Sequence, residues 1–133
     1  MGYEYIDHTA DLGIRVRSGD LRSLFRDAGM ALVDLLGASS EDAPIVTGIT
    51  VEGIDENDLL VRWLQELLFL LDTRAFRVFS IEIRDMTGTS LRAAVAGSRG
   101  TSPLSHEIKA VTYHGLDIRH IDNGLEATII FDM

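Results

Sequence analysis

The stretch "DENDLLVRWLQELLFLLDTRAF", residues 55–76, narrows the possible folds more than any other. Leu59, Leu60, Trp63, Leu64, Leu67, Leu68 and Leu71 recur at helical spacing, while Val61, Phe69 and Leu70 spread round the rest of the cylinder. A helix apolar over that much of its circumference is either held between two layers of its own domain or offers a surface to a partner. Asp55 or Asn57 is the expected N-cap, since a short side-chain oxygen there can accept a free helix-terminal N–H. Arg62 and Glu66 interrupt the run, which falls well short of the roughly 20 apolar residues of a membrane span.

The other segments supply the layers. Leu12, Ile14 and Val16 alternate with Arg15 and Arg17, the period of a half-buried strand. Asp20 then stands as an N-cap before Leu21, Leu24, Phe25, Ala28, Leu32, Leu35 and Leu36, and Gly37 ends this first helix. "GASSEDAP" reads as a surface loop and "IVTGITVEGI" as a short strand. After the second helix, "VFSIEIRD" and "SLRAAVAG" alternate around the hairpin signal "MTGT". "EIKAVTY", "LDIRHI" and "LEATIIFDM" follow, the last two joined through Asn123-Gly124. "SRGTSPLS" interrupts the pattern as a loop with the composition of a mobile one. Strand, helix, strand, helix and then several strands in succession predict an α+β fold, two helices packed on a largely antiparallel β-sheet.

With 133 residues, 46% of them hydrophobic and 25% charged, the chain suits one domain spanning 1–133. It has no cysteine, which excludes disulfides and thiolate chemistry and suits a reducing, cytoplasmic setting. The start shows no basic-then-apolar leader pattern. A net charge of −9 argues against direct nucleic-acid binding, which needs a basic surface to displace counterions. Arg15, Arg17, Arg22 and Arg26 form a local cluster, but arginines flanking strands and helices are ordinarily just solvated.

Chemistry concentrates at the two ends of the sequence. Glycine-rich phosphate loops, the Gly-x-Ser-x-Gly elbow and Cys/His zinc patterns are missing. Asp7, His8 and Asp11 cluster just ahead of the first predicted strand core, and the last strand closes on Asp132 and Met133. In that strand Leu125, Ala127, Ile129 and Phe131 share one face, so Asp132 falls on the other. Two readings stand side by side. Either Asp11 caps a turn and Asp132 is a solvated end, or the two meet with the Met133 carboxylate, their repulsion relieved by a hard cation such as calcium or magnesium. In "SHEIKAVTYHGLDI", alternation sets Lys109, Val111 and Tyr113 on one side and Ile108, Ala110 and Thr112 on the other. Lys109 either pairs with Asp7 or Asp11 or snorkels to water.

"YIDHTADLGIRV", "LLVRWLQELLFLLDT", "EIKAVTYHGL" and "IIFDM", in that order over nearly the whole chain, resemble the motifs of the archease family. The resemblance implies a single archease-like domain that is not itself an enzyme. Archeases are accessory proteins that promote guanylylation and multiple turnover of the tRNA-splicing RNA ligase, with a chaperone-like link to a tRNA methyltransferase. It also implies a bound divalent cation, typically calcium. Asp11, Asp132 and Met133 match the family's ligands, and Asp7, His8 and Lys109 stand beside them as supporting or partner-facing residues. Two rival classes remain: a metal-dependent hydrolase on the same carboxylates, and a generic chaperone using the apolar surface of the second helix.

Overall fold

A computed structural model describes residues 2–8 and 11–133, the side chains of residues 7, 8 and 11 excepted. The elements are β1 (Gly2–His8), β2 (Asp11–Ser18), α1 (Leu21–Leu35), β3 (Ile45–Glu52), α2 (Glu56–Asp72), β4 (Phe76–Met86), β5 (Ser90–Arg99), β6 (Ala110–Thr112), β7 (Arg119–Ile121) and β8 (Gly124–Asp132). The strands form two sheets rather than one. The larger runs β1-β2-β8-β6, with β7 also on β8, and the smaller runs β3-β5-β4. Every pair of named strands is antiparallel.

Two sheets account for the all-round apolarity of the second helix. α1 packs against β2 and β4, and α2 against β3 and β6, so each helix touches both sheets. On α2, Leu59, Leu60, Val61, Trp63, Leu64, Leu67, Leu68, Leu70 and Leu71 are all buried, and Phe69 alone of its large apolar residues stays exposed. Held between layers is therefore the correct reading of this helix. Trp63 shows how tightly: its ring is fully buried and its indole N–H donates to the Phe25 carbonyl of α1 at 2.9 Å, meeting the cost of taking that donor from water.

Local chemistry fixes the helix ends. Asp20 caps α1 by accepting from the Ser23 N–H at 2.8 Å, and Asp55, not Asn57, caps α2 by accepting from Asp58. At the far end of α1, Gly37 takes φ +63°, and the N–H groups of Gly37 and Ala38 bond back to Asp34 and Val33, a Schellman closure. Asp34 lies in that last turn, where a carboxylate opposes the helix dipole. The hydroxyls of Tyr3 and Tyr5 on β1 donate to it at 2.9 and 2.6 Å, tying the edge strand to the helix and lowering the pKa of its carboxyl.

β4 carries bulges after Val78 and Ile83. Beside the first, Gly97 of β5 comes so close that an added Cβ would lie 1.9 Å from the Arg77 carbonyl oxygen. The nearby Arg77 side chain is buried, donating to the carbonyls of Leu71, Phe76 and Ser102. Gly100 bonds to Ala75 and Ser105 to Leu36, so the "SRGTSPLS" segment is tied at both ends. Gly97→Ala should cost at least the 1–3 kcal/mol or so of an overpacked core, because backbone and not a flexible side chain blocks the site. Urea unfolding would measure it, and a change of under about 0.5 kcal/mol, the range of a neutral surface change, would contradict this packing.

Candidate functional site

Strand register brings the two ends of the sequence together. The β2–β8 ladder ends at Leu12 opposite Phe131, so Asp11 and Asp132, one residue further along each strand, stand at the same end of neighbouring strands. β1 continues the row on one side, with His8 opposite Asp11 and Asp7 opposite Leu12. On the other side Ala110 of β6 lies opposite Asp132, and the Lys109 N–H donates to the Asp132 carbonyl at 2.8 Å. The side chains of Asp7, His8 and Asp11 lie outside the described residues, so their positions here are backbone positions.

Asp132 is exposed, and its carboxylate has no hydrogen-bond or ion-pair partner among the described residues. Both its oxygens keep their lone pairs, which suits a hard cation seeking oxygen ligands. Met133 is half-buried and packs against the core, anchoring the backbone beyond Asp132. Lys109 is exposed, with no ion pair among the described residues. Its predicted alternation fails because β6 is only three residues long: Ile108 and Val111 are both buried while Lys109 and Tyr113 face out.

A second polar cluster, not singled out in the sequence, holds the "EIKAVTYHGL" segment to α2. Asp58 is buried in the first turn, where its carboxylate accepts from the Tyr113 hydroxyl at 2.5 Å and from the Ile54 N–H and Arg62 guanidinium, both at 2.9 Å. The Tyr113 hydroxyl above all, then the Ile54 amide, holds the Asp58 carboxyl below its ordinary pKa, with Arg62 adding a smaller share against the opposing effect of burial. Asn57, freed from capping, accepts from the Ile118 N–H at 3.0 Å, and Gln65 accepts from Val111. The one available sequence signal was an acidic residue three positions after an Asp cap. Nothing local announced that Tyr113, fifty-five positions on, would be its partner.

The clustered arginines are engaged separately. Arg15 pairs with Glu4, Arg17 with Glu126, Arg26 with Asp27, and Arg22 donates to the carbonyls of Ile83 and Arg84. Glu126 is itself buried between Arg119 and Arg17, which together lower its carboxyl pKa. Arg15 and Arg17 make cross-strand ties, Arg22 ties α1 to β4, and Arg26 pairs with its own neighbour on α1, so the four clustered arginines reach separate partners.

The sequence model of the Archease protein family (MTH1598/TM1083) matches residues 3–133. The protein archease of Archaeoglobus fulgidus is 34% identical over 137 residues, spanning 100% of both chains. That of Methanosarcina acetivorans is 34% identical, covering 98% of this chain and 95% of its own. Among solved structures, protein 1598 of Methanobacterium thermoautotrophicum superposes with a TM-score of 0.72 at 28% identity, over 99% of each chain. A Thermotoga maritima structure, described as an archease and possible chaperone, superposes with a TM-score of 0.70 at 20% identity, covering 98% of this chain and 96% of its own. The last likeness is one of fold.

The Asp58 cluster generates a pH prediction. Because the folded carboxyl is lowered, its contribution to stability is complete above the unfolded value of about 4 and is lost as pH falls through the folded value. Tyr113→Phe should raise the Asp58 pKa, and by more than Arg62→Ala does. A carboxyl-carbon NMR titration checks this, and equal or reversed shifts would show that the hydroxyl is not the main cause.

Proposed function

Because the chain belongs to the archease family, we propose that it is an accessory protein, not an enzyme in its own right. In this reading it activates the tRNA-splicing RNA ligase by promoting guanylylation and multiple turnover, and carries a divalent cation, calcium by preference, at the end of its larger sheet. One observation carries the reading: the β2–β8 register that sets Asp11 and Asp132 side by side, with the Asp132 carboxylate exposed and uncommitted among the described residues.

The residues fit such an ion. Asp11, Asp132 and a main-chain oxygen of Met133 would hold it, a set of hard oxygen donors at one edge. When bound, the ion supplies fixed positive charge that relieves carboxylate repulsion. Lys109, held beside Asp132 by its backbone bond, and Asp7 and His8, set across the row by their backbone positions, would orient the carboxylates and extend the charged surface. That surface docks by the ligase's nucleotide site and favours the ligase conformation that accepts GTP, so activation is a population shift whose size equals the difference in affinity for the two states. Phe69 apart, the apolar circumference of α2 is used up inside the chain, so a chaperone-like action on a tRNA methyltransferase would draw mainly on another surface.

The test is multiple-turnover RNA ligation by the tRNA-splicing ligase of the same organism with GTP and a trace of this protein. Wild type should restore turnover, while folded Asp132→Ala and Asp11→Ala proteins should lose most of that effect. Wild type leaving turnover unchanged would remove the proposal. Full activation by both variants would remove the site from it.

A further inference from the structure

Of the eleven arginines, nine reach an oxygen: seven pair with carboxylates, and Arg22 and Arg77 donate to main-chain carbonyls. The other two, Arg74 and Arg99, are exposed and line one hollow with Ile45 and Thr47. Neither meets a carboxylate among the described residues, although acidic residues outnumber basic ones 21 to 12. Arg74 rests only over the Phe69 ring, 5.8 Å from its centroid. Two uncommitted arginines side by side in so acidic a chain suit a carboxylate that arrives from outside it.

The hollow lies at one end of a free sheet edge. β4, the other edge of the smaller sheet, is closed at two places: Val78 exchanges main-chain bonds with Ala38 and Ser40, and Arg22 covers the carbonyls of Ile83 and Arg84. β3 has β5 on one side only, in an unbroken register of eight pairs. Its sequence "IVTGITVE" has no proline, lysine or bulge, the features that ordinarily keep an edge from pairing with another chain. Beside that edge runs a groove floored by Ile49, Leu70 and half-exposed Phe69, with Glu66 on its wall.

The faces of the sheet agree with this layout. Ile49 and Val51 are buried, and Ile45 and Thr47 share their side, towards α2, while Val46, Gly48, Thr50 and Glu52 face away. Gly97 lies opposite Ile45, so Arg99, two residues further along β5, is also on the α2 side. A strand added antiparallel to β3 runs from the Glu52 end to the Ile45 end, and residues directly opposite each other share a face. Its side chains opposite Ile49 and Thr47 therefore lie over Phe69 and Leu70, and the one opposite Ile45 reaches Arg74 and Arg99. Glu66 favours a basic residue nearer its start.

We propose that the β3 edge and the α2 groove together receive an extended segment of another protein, paired antiparallel to β3. The segment carries two apolar side chains at alternate positions and an acidic one two residues later. Main-chain bonds to β3 supply affinity, and the arginine pair reads the carboxylate. The inference uses none of the residues assigned to the cation and stands apart from the ligase reading.

Fluorescence anisotropy with a labelled, end-blocked peptide, Lys-Thr-Val-Thr-Ile-Thr-Glu, tests it. Wild type should bind it saturably, and Arg74→Glu and Arg99→Glu should each bind it about tenfold more weakly, the loss of one charge-assisted contact. The double reversal should prefer the same peptide ending in Lys, which also shows that the variant is folded. Methylating one alternate set of peptide nitrogens should abolish binding and methylating the other should leave it, because only one set faces β3. No binding by wild type up to millimolar peptide would overturn the proposal. Binding indifferent to both methylations would overturn the strand pairing. A single-stranded RNA oligonucleotide bound through Arg74 and Arg99, with the peptide left free, would overturn it in favour of a phosphate ligand.

Discussion

Strand β8 is the constraint on which the larger sheet depends. It pairs with β2 along seven residues, with β6 at its end and with β7 at its start, so the first and last segments of the chain are folded as neighbours. Ala127, Ile129 and Phe131 present one buried face to the helices, and a slip of one residue would turn that face to water. The same register fixes which residues stand at the sheet's end. The candidate site and the hydrophobic core are thus two readings of one ladder: whatever holds Phe131 in the core also holds Asp132 beside Asp11.

Charged groups inside the fold are paired, and their pairs do mechanical work. Glu126 joins β2 to β7 through Arg17 and Arg119, Asp58 joins α2 to the Tyr113 segment, and Arg77 joins the Leu71 carbonyl in the last turn of α2 to the Ser102 carbonyl beyond β5. Among the described residues no buried side-chain nitrogen or oxygen is left without a partner. Removing one member of such a group leaves its partner buried and unsatisfied, which costs more than the pair itself contributes. Tethers of this kind cross between elements far apart in sequence and limit how the sheets can move over the helices.

Local features were legible in the sequence wherever a side chain acts on its own neighbourhood. Asp20 as a cap, Gly37 as a helix stop, the alternation of residues 12–17 and the Asn123-Gly124 turn, with Asn123 at φ 68°, all appear as expected. β1 was not legible as a strand: Tyr3 and Tyr5 stay exposed, so it lacks the core-facing alternation that marks a buried one. The division into two sheets was hidden as well, because pairing partners are chosen by tertiary packing and not by any pattern within a strand. Ile130 and Glu126 are buried against the simple alternation of β8, the first beside Gly13 and the second between its arginines. For the site, the sequence announced the carboxylates and the family motifs announced their partnership. The backbone register supplies the juxtaposition that neither local chemistry nor composition could.

The central claim is that the paired ends of β2 and β8 form a cation site, and calorimetric titration of calcium into the metal-stripped protein tests it most directly. The account predicts one saturable site per chain for wild type, and its loss in Asp132→Asn, which keeps the shape of the side chain while removing its charge. Calcium should likewise raise the unfolding midpoint of wild type but not of the variant, since a ligand bound only by the folded state stabilises it. Equal binding by both proteins, or none by wild type, would contradict the account and return Asp132 to a solvated strand end.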